Sequence, residues 1–144
     1  MAGSVTLTST PLPGSDDVVK HSMAWTADGA GAVSGNSLTF PFGTIVTVEF
    51  LPGTAANLYD VDFLDANNAS MFNDGTGQSI GANLTNTVGV HRAPMIVGSN
   101  STPVYVRSWL HGGLYQLTVA NAGAAAAGTS TVFTDSYLTL ARVG

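Results

Sequence analysis

Three aspartates, Asp60, Asp62 and Asp65, stand close together in LYDVDFLDANNASMF, the stretch from Leu58 to Phe72 of a 144-residue chain that has only nine acidic residues. Carboxylates at that spacing could hold a metal ion, act as a general acid and base, or build a turn. In an extended strand Asp60 and Asp62 share one face and lie about 6.6 Å apart along the chain, near the lower end of the separation used by inverting glycosidases. Such a pair needs one carboxyl whose pKa is raised by burial. The alternation of Tyr59, Val61 and Phe63 assigns the buried face to those residues instead, and leaves the aspartates on the solvated one. DANNA, which begins at Asp65, is made of side chains that bond their own backbone in turns. It lacks the glycine and terminal glutamate of a calcium-binding EF-hand loop. The expectation is a strand and a turn, with no catalytic residue and no metal ligand among the three.

Other residues capable of chemistry are scattered. His21, His91 and His111 show no metal-binding spacing, and the chain has no cysteine to join them. His21 lies between Val19 and Met23 on an apolar face, which fits a core histidine with satisfied ring nitrogens. His111, before Gly112 and Gly113, reads as a turn residue. DGTGQ at Asp74 has phosphate-loop glycines but no lysine after them, and no G-x-S-x-G elbow occurs. No cofactor is expected. The strongest binding feature is VYVRSWLHG, read as one strand with Tyr105, Arg107 and Trp109 on one face. These residue types dominate binding hot spots, and arginine stacks well on aromatic rings. The same pattern also fits an amphipathic strand whose aromatics face the core.

Composition narrows the partners. Charged residues make up 9% of the chain, against about 25% in an ordinary soluble domain. A surface so poor in charge is built from Thr, Ser, Asn and Gly or is covered by partners, a first pointer to assembly. Four basic residues and a net charge of −5 argue against direct nucleic-acid contact, which draws its affinity from several phosphate neutralisations. The N-terminus has neither a basic start nor an apolar signal core, no apolar run reaches the length of a membrane helix, and the absence of cysteine suits a reducing cytoplasm.

The elements that must position these residues are strands. Period-two alternation bounded by Gly, Pro, Asn and Asp recurs throughout. It predicts strands over Val5 to Thr10, Val18 to Thr26, Ser37 to Phe40, Thr44 to Leu51, Leu58 to Leu64, Pro103 to Leu110, Leu114 to Ala120 and Thr131 to Leu140. About eight short strands in residues 1–144 imply a single all-β domain, a β-sandwich or jelly roll. The inward sets are Val19, Met23 and Trp25; Val46, Val48 and Phe50; Tyr59, Val61 and Phe63; Tyr115, Leu117 and Val119; and Leu138 with Leu140. The alternation breaks between Phe133 and Ser136, where a bulge or bend would restore it. NAGAAAAG from Asn121 is too short and glycine-bracketed for a helix and reads as a hairpin loop. Residues 1–17, with Pro11 and Pro13, are expected to include an extended arm and crossing. The Gly- and Asn-rich segment 73–100 is expected as a long contact loop.

NLYDVDFLDANNASMFNDGTG, followed by LYQLTVANAGAAAAGTSTVF, resembles a family of small tailed-bacteriophage virion proteins, and MAWTADGAGAVSG at Met23 is similar to another of its segments. Together these span most of Val18 to Leu140. Members of the family are taken to be capsid decoration, or cement, proteins. The resemblance implies a non-enzymatic protein made in the host cytoplasm and carried on the capsid exterior. Its partners would be the major capsid protein and further copies of itself, as a homodimer or homotrimer, with Asp60 and Asp62 available to a basic capsid surface. Two departures are visible: Ala69 and Met71 stand where the family has a turn glycine and a following aspartate, and the segment after Asn73 expands a short loop. Alternatives are a head-fibre base or glycan- or receptor-binding virion module, and a glycan-active hydrolase using Asp60 and Asp62.

Overall fold

The computed structural model describes residues 3–14, 17–73, 79–93, 95–97, 103–105 and 108–136. The strands are β1 (Ser4–Pro11), β2 (Val18–Thr26), β3 (Leu38–Leu51), β4 (Asp60–Leu64), β5 (Val90–Arg92), β6 (Met95–Val97), β7 (Pro103–Tyr105), β8 (Ser108–Ala120) and β9 (Ala127–Asp135). All pairings are antiparallel. One sheet runs β1-β2-β9-β3-β8-β4 with β5 added to β3, and β6 and β7 form a separate pair. The chain is all-β, as its alternation predicts. No helix among the described residues is long and apolar enough to cross a membrane.

The large sheet is folded over on itself. In a flat sheet β2 and β4, four places apart, would be separated by roughly 19 Å at the usual strand spacing. The rings of Trp25, in β2, and Tyr59, at the entrance to β4, have centroids 6.0 Å apart. Two long strands turn the corner. β3 pairs with β8 over Leu38 to Ile45 and with β9 over Thr44 to Leu51, while β8 leaves β3 at Tyr115 and continues with β4 from Gln116. Between the layers, Phe63 stacks on Tyr115 at 5.0 Å and Phe40 meets both rings edge-on. Such pairs each contribute about 0.5–1.5 kcal/mol beyond simple burial.

Several elements differ from the sequence reading for local physical reasons. The two strands expected on either side of Pro41 are one, β3. The missing N–H of Pro41 is tolerated because β9 joins β3 only from Thr44, so the strand has a single neighbour at that point. Gly112 and Gly113, both at positive φ, bend β8 instead of ending it. Val46 is 48% exposed rather than inward, and Ile45 takes the core position. The register of β3 on β9 slips between Ile45 and Thr47, opposite Thr134 and Phe133. A bulge is therefore present next to the predicted break, but its extra residue is in the facing strand. β9 starts at Ala127, and Leu138 and Leu140 lie outside the described residues.

The chain's first segment is not a free arm. β1 and β2 form a hairpin in unbroken register, and Leu12 N–H donates to Val18 O at 3.0 Å as the chain turns back. The loop from Asn121 to Ala126 is no hairpin either, because β8 and β9 are separated by β3 in the sheet. Within the segment 73–100, residues 79–93 lie on the domain, with Ile80 and Leu84 fully buried and β5 paired to β3.

Candidate functional site

Asp60 and Asp62 point away from Tyr59, Val61 and Phe63, which are all buried as predicted. The carboxylates are nonetheless engaged. Asp60 accepts hydrogen bonds from Asn83 N–H at 2.8 Å and from the Asn121 side-chain amide at 2.7 Å. Asp62 Oδ1 accepts from the Ser70 hydroxyl at 2.6 Å and from Phe63 N–H at 2.8 Å. Both are half-buried, because residues 79–84 run along the open side of β4. There Val61 N–H donates to Gly81 O, Leu58 N–H to Leu84 O and Leu84 N–H to Tyr59 O. Asp60 thus ties two loops to β4, and Asp62 ties down the turn that follows it.

That turn is the one the sequence predicts. Asp65 Oδ1 accepts from Asn67 and Ala69 N–H at 2.8 and 2.9 Å, and the Asp65 and Ala69 backbones close the loop. Its left-handed residue is Asn68, at φ 62°, one position before the Ala69 that the resemblance sets against a turn glycine. Asparagine tolerates this conformation better than alanine. A groove of about 270 Å³ runs between Asp60, Asp62, Asn73, Ser79 and Thr118. Among the described residues no group of three or more His, Asp or Glu is placed to hold a metal ion.

His21 is a core histidine. Its Nδ1 lies 2.7 Å from Ser9 Oγ and its Nε2 3.1 Å from Thr134 Oγ1, and burial pushes its pKa below the ordinary histidine value. His111 is exposed on β8, and its N–H donates to the Tyr115 hydroxyl. His91 faces Glu49 across β5 and β3 at 2.9 Å, in a pair open to solvent.

The predicted binding strand is divided. Tyr105 ends β7 and Trp109 belongs to β8, in different sheets. Arg107 lies outside the described residues. β7 pairs with β6, and the backbone of Trp109 stands opposite Thr44 of β3.

Two residues gave no signal in the sequence. Arg92 donates through Nη1 to Ile80 O at 2.9 Å and Ala82 O at 3.4 Å, fixing the segment that covers β4. Beside it, burial pushes the Tyr59 hydroxyl up to about 12, against the pull of the Arg92 charge. Asn36 pairs its side-chain amide with both the N–H and the C=O of Leu117, at 2.9 and 2.7 Å, and continues the ladder on β8 where β3 has not yet begun. Each depends on a distant backbone group that no local pattern announces.

Comparison with protein-family models, curated proteins and solved structures finds no match. The surface itself offers more. Large apolar side chains are exposed at Phe42, Val46, Leu51, Leu58, Val88 and Leu114. Leu51 lies against Gly89, next to Val88. Asn86 N–H donates to Asn57 Oδ1, which draws Leu58 towards the same end of the molecule.

Proposed function

We propose that this chain is a non-enzymatic virion structural protein that binds the outside of an icosahedral phage head and cements neighbouring major capsid subunits. The observation that carries the reading is a chain with very few charges that leaves, among the described residues, six large apolar side chains exposed, surface that a partner can cover. The resemblance of its β4 and β8–β9 segments to decoration proteins supports the same reading. A hydrolase would need Asp60 or Asp62 free to carry a proton, and three of their four oxygens accept structural hydrogen bonds, which weighs against that alternative.

A cement protein works through area shared with adjacent subunits, so that parting them also breaks its own contacts. Specific interfaces usually bury about 1,600 Å², and repetition over a shell adds avidity. Heads assembled without this protein are expected to form and to release DNA at a lower temperature than heads carrying it. Equal heat resistance with and without the protein would count against cementing.

A further inference from the structure

The two ends of the large sheet are treated differently. At the β4 end the same chain covers the edge: Val61 N–H donates to Gly81 O at 2.7 Å, Leu84 N–H to Tyr59 O at 2.8 Å, and Met71 N–H to Phe63 O at 2.7 Å. At the other end β1 pairs, among the described residues, with β2 alone. Edge strands are normally blunted by a lysine, an interior proline, a bulge or brevity. β1, SVTLTSTP, is eight residues long, uncharged and in unbroken register, with its proline at the last position. The core also stops short there. Val5 and Leu7 are only half-buried, whereas Trp25 and Met23, directly opposite them on β2, are fully buried.

We propose that β1 is a dimer contact: two copies of this chain pair their β1 strands antiparallel about a two-fold axis at Thr6, joining two sheets into one. Residues opposite each other in an antiparallel pair share a face, so the apolar positions select the register. With Thr6 opposite Thr6, Val5 stands across from the second copy's Leu7 and Leu7 across from its Val5. Ser4 then meets Thr8 on the outer face. Centring on Leu7 would set Val5 against Ser9, and centring on Thr8 would set Leu7 against Ser9, so neither matches both apolar residues. A second copy is the fitting occupant because an uncharged edge offers nothing to select a charged foreign strand, while an identical strand completes both half-covered cores at once. Pairing through sheet edges draws on backbone groups that are already aligned.

The inference stands apart from the shell reading, and its test needs no shell. Thr6 is exposed on the outer face, so Thr6→Lys and Thr6→Glu should keep the far-UV circular dichroism of the parent. Sedimentation equilibrium of the full chain should give twice the chain mass for the parent and the single-chain mass for each variant, because like charges then face each other across the axis. An equimolar mixture of the two variants should recover the dimer, with lysine facing glutamate. A parent that sediments as one copy overturns the proposal. So does a dimer that both variants leave intact, or variant chains that stay single when mixed.

Discussion

The imidazole of His21 joins three strands, since β2 carries it, Ser9 of β1 holds one nitrogen and Thr134 of β9 the other. Phe40 lies edge-on to the ring at 5.0 Å, so a proton added there enters an apolar setting. Unfolded, the ring takes up a proton near its ordinary value of about 6.5; folded, burial holds it neutral to lower pH. Below about 6.5 the unfolded state therefore binds more protons, and stability must decline as pH falls towards the lowered folded value. Melting curves between pH 7.5 and 5.5 are expected to show a falling midpoint. His21→Gln, which hydrogen-bonds without titrating, should start lower and lose most of that slope. An unchanged slope in the variant would place the proton uptake elsewhere.

At the scale of the strand, what the sequence leaves legible is what alternation alone can carry. The inward sets of β4 and β8 follow it without interruption and are buried as read, and β2 has the bounds predicted for it. Val46 could not be placed, because a bulge is a property of two strands and Val46 has no local mark of one. Nor could the continuity of β8 be seen through Gly112 and Gly113, since glycines usually punctuate a strand. The partners of Asp60 lie 23 and 61 residues away, so their bonds exist only once the fold does. Gly128 shows the same dependence. It stands opposite Trp25, and a Cβ there would lie 2.4 Å from the indole and 2.9 Å from Leu51 O. Gly128→Ala is expected to overpack this crossing and cost about 2–3 kcal/mol in denaturant unfolding. A neutral outcome would mean that the indole has room to move.

For the whole molecule, scarcity of charge is the governing feature. Most of the stabilising contacts described here are ring packing, backbone ladders and amide or hydroxyl bonds, and the Glu49–His91 pair is solvent-exposed. Exposed pairs contribute little and are screened by salt. The thermal midpoint should therefore shift by no more than roughly 2 °C between low salt and 0.5 M sodium chloride at neutral pH, less than a 1 kcal/mol change is expected to produce in a domain of this size. A large salt effect would show that ion pairs contribute more to stability than the ring packing and ladders do.

The place of β9 also governs when the molecule can form during synthesis. It is the last strand described, yet it lies between β2 and β3 and bonds to both along its length. Until residues 127–135 have left the ribosome, β2 and the second half of β3 each lack a neighbour, and most of the sheet cannot close. The nascent chain must carry its Trp25, Val48 and Phe50 strands without that partner until β9 emerges, the state in which unpaired edges invite misassociation. The Thr- and Ser-rich β1 is suited to that wait, because water can satisfy its side chains until β9 arrives.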